Sequence, residues 1–162
     1  MDPVDHRSVY LLVFRSPIFP AHWALWIPRQ DNAKIGKIIS AVGDPATGFV
    51  HEFQRNFCPS GPDSMLPVLL SNKIDPKYVA DGEASLDQES TIDANATDEL
   101  ESVALSVPPP EKSLNSVAES GVRRRVAIKN CQTWMRDYVL KLVDRGVLDQ
   151  AAVEILDSAP KN

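Results

Sequence analysis

RSVYLLVFRSPIFPAHWALWIP, residues 7–28, sets the fold class. Residues 7–15 are rich in Val, Leu, Tyr and Phe, side chains that suit a pleated surface, and they predict a strand. Pro17 and Pro20 end it, because proline offers no N–H to a ladder. Residues 22–28, HWALWIP, form a second apolar run closed by Pro28. A third run, IGKIISAV at 35–42, stops at the turn Gly43-Asp44-Pro45. Residues 48–57, GFVHEFQRNF, alternate roughly apolar and polar as a fourth strand. Four strands with short connections predict an antiparallel meander.

Further along, Pro59, Gly61, Pro62 and Pro67 interrupt regular structure, and MLPVLL at 65–70 reads as a short buried piece. Residues 81–96 lack apolar periodicity and are dense in Asp, Glu, Ser and Thr, so they read as a flexible acidic insertion without a catalytic role. Residues 97–106 predict a short helix with Leu100, Val103 and Ala104 inward. Pro108-Pro109-Pro110 then makes a stiff extended connector. The clearest helix is 130–145, where Cys131, Trp134, Tyr138 and Leu142, with Met135 and Val139, recur at three- and four-residue spacing. Asn130 is placed to cap it and Gly146 to stop it. A last helix starts near Asp149, as its cap, and runs to about Asp157. There is no internal repeat. The pattern predicts an α+β fold. Its antiparallel sheet of about four to six strands packs against helices, in a single domain over residues 1–162.

At 162 residues and 43% hydrophobic composition the chain can bury a core without disulfides or metal. No apolar run approaches the roughly 20 residues of a membrane span, so no transmembrane segment is expected. The opening MDPVDHRSVY carries early acids and does not read as a secretion signal, which predicts a cytoplasmic location. Net charge is -5, and 10 of the 22 acidic residues fall in 81–120 beside one basic residue, Lys112. The rest is mildly basic. That distribution argues against a nucleic-acid binder built on a broad basic face. The run Arg123-Arg124-Arg125 is too short to change this and reads as a solvated strand or loop. Two cysteines and three histidines do not fall at zinc spacings, and Gly43-Asp44-Pro45-Ala46-Thr47-Gly48 lacks the lysine of a phosphate loop. Neither a metal nor a cofactor is called for.

Cys131 lies in the first turn of its helix, where unpaired N–H groups and the positive dipole end favour thiolate, the nucleophilic form. A nucleophilic cysteine needs a base within hydrogen-bond reach, and His22 begins a strand among aromatic residues. Against this stands the plainer possibility that Cys131 is a small buried hydrophobe and His22 a satisfied strand-end histidine. Cys58, before Pro59, reads as a partly buried structural thiol.

His22-Trp23-Ala24-Leu25-Trp26-Ile27, followed late in the chain by Asn130-Cys131-Gln132-Thr133-Trp134, resembles the permuted papain-like hydrolases and acyltransferases. That family includes lecithin retinol acyltransferase, the H-Ras-suppressor-type phospholipase/acyltransferases and NlpC-like enzymes. The chain also looks like small uncharacterised fungal proteins with Gly-Asp-Pro-Ala-Thr-Gly-Phe after the histidine strands, as at residues 43–49. The resemblance implies a permuted papain-like fold, with Cys131 attacking a carbonyl and His22 taking its proton. A polar residue on the next strand would orient His22. That position falls on 35–42, where the candidate is Ser40; the enzyme-like relatives would carry histidine there. Serine holds no charge and stabilises an imidazolium less. His51 or Glu52 could substitute, and strand alternation lets at most one of them help.

The reading that follows is a cysteine-dependent acyl-transfer enzyme, hydrolase or acyltransferase. Its substrate would be a small ester, amide or thioester. Helix-start N–H groups would form part of an oxyanion hole. Trp23, Trp26 and Trp134 read first as core; any that faces the Cys131 cleft becomes a substrate-binding residue. Two rivals stand beside it. One is a natural-product tailoring isomerase or cyclase that uses the same cleft without a covalent intermediate. The other is a non-catalytic binding module. The sequence does not set the oligomeric state.

Overall fold

The computed structural model describes residues 6–14, 21–30, 34–44, 48–57, 65–80, 91–93, 95–110 and 130–161. Apolar alternation builds the sheet from β1 (Arg7–Phe14), β2 (His22–Pro28), β3 (Gly36–Asp44), β4 (Gly48–Phe57), β5 (Met65–Ile74) and β6 (Thr91–Asp93). Their order is β5-β1-β2-β3-β4-β6, with every adjacent pair antiparallel. The first four strands form the expected meander. Gly36 is required where β3 meets β2, since a Cβ there would lie 2.2 Å from the Ile27 carbonyl oxygen.

Two expectations change. MLPVLL is the start of a ten-residue strand, not a short buried piece: Leu66 is 39% and Leu69 42% exposed. β5 pairs with β1 on one side only, among the described residues, and Pro67 is tolerated on such an edge strand. Part of the acidic insertion, Thr91–Asp93, is strand β6 and pairs with Arg55, Gln54 and Phe53. Residues 81–90 and 94 lie outside the described residues, as do Cys58 and Arg123-Arg124-Arg125.

Among the described residues three α-helices follow: α1 (Glu99–Ser106), α2 (Cys131–Asp144) and α3 (Gln150–Asp157). The Asn130 side chain accepts from the N–H groups of Gln132 at 3.0 Å and Thr133 at 3.2 Å, while the Thr133 hydroxyl accepts from the Asn130 N–H at 3.3 Å. This reciprocal cap fixes where α2 begins. Gly146, at φ 78°, ends the helix in the left-handed region. Asp149 precedes α3 but makes no side-chain capping bond, contrary to expectation.

All three helices bury their apolar sides against one face of the sheet. Val9, Leu11 and Val13 of β1, Trp23, Leu25 and Ile27 of β2, and Ile39 and Ala41 of β3 share a core cluster with them. Residues of the opposite parity, Leu12, Ala24, Trp26 and Ile38, form a smaller cluster on the second face.

An ionic cluster is built into the helix face. Glu101 is fully buried and accepts from Arg55 at 2.7 and 2.9 Å, from Lys37 at 2.9 Å and from the Thr97 hydroxyl at 3.1 Å. Lys37 also meets Asp98 at 2.6 Å, and Asp98 caps α1 through the Glu101 N–H. Burial alone would raise the Glu101 carboxyl, but hydrogen bonds and charges from Arg55 and Lys37 outweigh it and hold it below its ordinary value of 4.5. The unfolded chain therefore takes up this proton first. Its contribution to stability is present above about pH 4.5 and is lost as the pH falls further. In urea unfolding at pH 7, Glu101→Ala is expected to lose about 3–5 kcal/mol, because Lys37 and Arg55 are left without their buried carboxylate. The variant should also show a shallower loss of stability below pH 4.5. A loss under about 1 kcal/mol would mean the cluster relaxes into solvent.

Candidate functional site

The α2 cap places Cys131 over the start of β2. Its thiol is buried, with Sγ 3.8 Å from the Ala21 carbonyl oxygen, to which it donates. Burial pushes the thiol up from its ordinary value. The backbone N–H groups of Trp23, Gln132 and Cys131 pull the other way without compensating. The helix start thus acts on Cys131 as expected, but desolvation is the larger effect and the thiol stays protonated at neutral pH.

The end of the described chain lies across this point. The Gln132 amide nitrogen donates to Ala21 O at 2.8 Å and to Lys161 O at 2.9 Å. The Ala21 N–H donates to Lys161 O at 2.9 Å, and the Trp23 indole N–H to Pro160 O at 3.0 Å. Residues 158–161 form a strap beside the thiol. Its outer side joins Val68 and α3 residues Ala151, Glu154 and Ile155 in an open apolar groove of about 420 Å³.

His22 sits between Ala21 and Trp23, yet the structure does not bring its ring to Cys131. Ala21 and Trp23 face the helices together with Cys131. The His22 ring stacks at 5.8 Å on Phe14, its cross-strand partner, which borders the second-face cluster. Period-two alternation separates the two groups: adjacent main chain, opposite faces. Burial lowers the His22 pKa from 6.5, which keeps the ring neutral. No hydrogen bond or charge interaction joins the Cys131 thiol and the His22 ring, so the expected thiol–imidazole pair is not among the contacts of either group.

Ser40 is 2% exposed and shares the parity of Ile38, so it lies on the His22 side and away from Cys131. His51 pairs with Ala41 and faces the helices. Its Nε2 lies 2.7 Å from Val107 O, and that carbonyl acceptor assigns the proton to Nε2. The Trp134 indole N–H donates to the same oxygen at 2.9 Å, with its ring 5.7 Å from His51. His51 is a structural pin and cannot orient His22 from the other face. Glu52, paired with Ser40, is on the His22 face. Trp23 and Trp134 are core residues whose indoles anchor backbone carbonyls; Trp26 alone of the three belongs to the second face.

The sequence reading assigned no role to Gln132, Lys37 or Glu101. Lys37 did carry a signal, since it shares the inward parity of Ile39 and Ala41 within an apolar strand. Among the described residues, no group of three His, Cys, Asp or Glu side chains is arranged to hold a metal ion. No helix among the described residues is long and apolar enough to cross a membrane.

Residues 9–149 match a family described as Family of unknown function (DUF6540), and the chain belongs to it. No curated protein and no solved structure matches the chain.

The effect of the strap's hydrogen bond to Gln132 on access to the neighbouring thiol is measurable. Gln132→Ala removes two hydrogen bonds of ordinary strength, so iodoacetamide labelling of Cys131 at pH 8 is expected to rise roughly fivefold to tenfold over the parent chain. Both would be measured in a Cys58→Ser background, so that one thiol is read. An unchanged rate would show that the amide does not hold the strap closed.

Proposed function

We propose that the chain is a non-catalytic binding module and not a cysteine-dependent acyl-transfer enzyme. The observation that carries this is the placement of Cys131 and His22 on opposite faces of the sheet, the thiol kept protonated and the imidazole neutral by burial. A base must come within about 3 Å of the proton it removes, and a strand does not exchange its two faces without losing its register. The isomerase or cyclase reading needs acid and base gathered in one cleft. His22 and Ser40 are on one face and Cys131 and His51 on the other, which lends it no support.

One observation favours the covalent reading and the permuted papain-like layout that goes with it. Three backbone N–H groups act on the Cys131 sulfur at a helix start, a partial arrangement for thiolate and oxyanion. It lacks a base. A reducing compartment such as the cytoplasm fits a chain whose buried Cys131 is a free thiol.

The test is hydrolysis of p-nitrophenyl acetate and butyrate by the purified chain. Under the binding reading, any rate above buffer is the same within about twofold in the parent, Cys131→Ala and His22→Ala, because general acid–base catalysis alone is worth about a hundredfold or more. A fall of that size in both variants would overturn it.

A further inference from the structure

The strap of residues 158–161 is seated in a cleft that donates every bond between them. The Trp23 indole N–H donates to Pro160 O at 3.0 Å. The Ala21 N–H and the Gln132 amide both donate to Lys161 O at 2.9 Å. In each case the strap accepts through a main-chain carbonyl. Its buried side chain is Ala159, 7% exposed and part of the helix-side core, while Lys161 stays in water. Pro160, between them, has no N–H to place.

Extended peptides are recognised in this manner, with main-chain hydrogen bonds for affinity and a pocket for a particular side chain. The seated segment therefore shows what the cleft fits: a small residue, then proline, then a residue whose side chain is solvated. Ser158, Ala159 and Pro160 also form one wall of the open groove of about 420 Å³. The strap is thus packed against the cleft on one side and borders open space on the other. A chain segment with so few packed contacts opens at less cost than the core. Once it lifts, the buried N–H groups of Ala21 and Trp23 need new acceptors.

We infer that the cleft of Ala21, Trp23 and Gln132 receives an extended segment of a partner protein, a small residue followed by proline, and that residues 158–161 occupy it in cis as an internal competitor. The inference rests on the binding reading and gives it a site and a partner class. A second copy is the poorer occupant. The strap runs three residues past the Ser158 cap of α3, a reach of roughly 10 Å, which keeps it beside its own cleft. So short a tether gives an effective concentration on the order of millimolar. The partner's affinity is lowered by the fraction of chains whose cleft is already filled.

The probe is a fluorescein-labelled peptide, Ser-Ala-Pro-Lys-Asn, titrated with the full chain and read by anisotropy. Ser-Asp-Pro-Lys-Asn is its control. Ala159→Asp puts a carboxylate where the strap is buried and releases it. This variant is expected to bind the alanine peptide at least about tenfold tighter than the parent chain does. It should bind the aspartate peptide about tenfold more weakly than the alanine peptide. One substitution thus acts in opposite directions in cis and in trans. Adding Gln132→Ala to Ala159→Asp removes a donor to the peptide and is expected to cost roughly fivefold. In the ¹⁵N-labelled Ala159→Asp chain, the Trp23 indole resonance should shift from its parent position and return when the peptide fills the cleft. Pro160→Gly keeps the accepting carbonyl and loosens the strap by chain entropy, for a gain of roughly twofold to fivefold over the parent. It decides the matter where Ala159→Asp does not fold. Equal peptide binding by the parent and both strap variants overturns the proposal, as does equal binding of the two peptides or no binding at millimolar peptide. A dimer formed by the Pro160→Gly chain would give the cleft to a second copy and overturn the partner. Ester turnover that depends on Cys131 and His22 would remove the binding reading of the whole chain. Absent peptide binding without such turnover removes this site alone.

Discussion

The carboxylate of Glu101 has no exposed surface, and the helix face of the sheet is arranged around it. Lys37 of β3 and Arg55 of β4 converge on it from below, and Asp98 holds both Lys37 and the first turn of α1. The Tyr138 hydroxyl of α2 donates to Leu100 O at 2.6 Å, one residue from Glu101. Burial, then the negative charges of Asp98 and Glu101, push that hydroxyl well above its ordinary value, so it remains a donor. Two cations and two carboxylates leave the cluster neutral. Such a cluster adds little over well-packed apolar side chains but strongly penalises a missing partner, so its effect is chiefly on position. The position it sets passes from β3 and β4 to α1, from α1 to α2, and so to the point over β2 where Cys131 stands.

That point shows what the sequence could and could not reveal. The meander was legible because each strand is a run of sheet-favouring residues ended by proline, glycine or a turn. α2 was legible because its apolar spacing, cap and stop agree. The parity of β2 was not legible. HWALWIP is apolar at both odd and even positions, so either set could meet the helices, and a one-residue difference exchanges every side chain between faces. Motif order and a helix-start cysteine carry no information about parity. Only the ladder does: Val13 with Trp23 and Phe14 with His22. β5 departs from its sequence pattern for a related reason. Its leucines look buried by composition, yet the strand has one neighbour among the described residues and is half open to solvent.

The Cys131 environment is a contest between two effects of helix burial. The same docking that aims N–H groups at the sulfur also removes it from water, and desolvation is the larger effect. His22 is subject to the same balance without any compensating donor charge, and its ring is neutral. A thiolate–imidazolium pair would require both groups to charge, and burial holds each in the opposite state. The plain reading of these residues, a packed thiol and a strand-end histidine, is therefore a physical outcome of the packing and not a default.

Composition treats the three tryptophans as one class, and their hydrogen bonds divide them. Val107 O accepts from both Trp134 and His51, and Pro110 O accepts from the Phe49 N–H at 2.8 Å. The proline connector is thereby fastened along the start of β4 at its two ends. Proline itself donates nothing, so the connector offers only carbonyls, and the core must supply the donors. Trp23 plays the same part for the strap at Pro160, where again a proline carbonyl is the acceptor. Both indoles are thus engaged in holding segments that have no ladder of their own. The second face has no such segment among the described residues, and the same side chain placed there by alternation keeps its N–H unpaired. One residue of parity along β2, from Trp23 to Ala24 to Leu25 to Trp26, turns a structural donor into one that is buried and unpaired among the described residues.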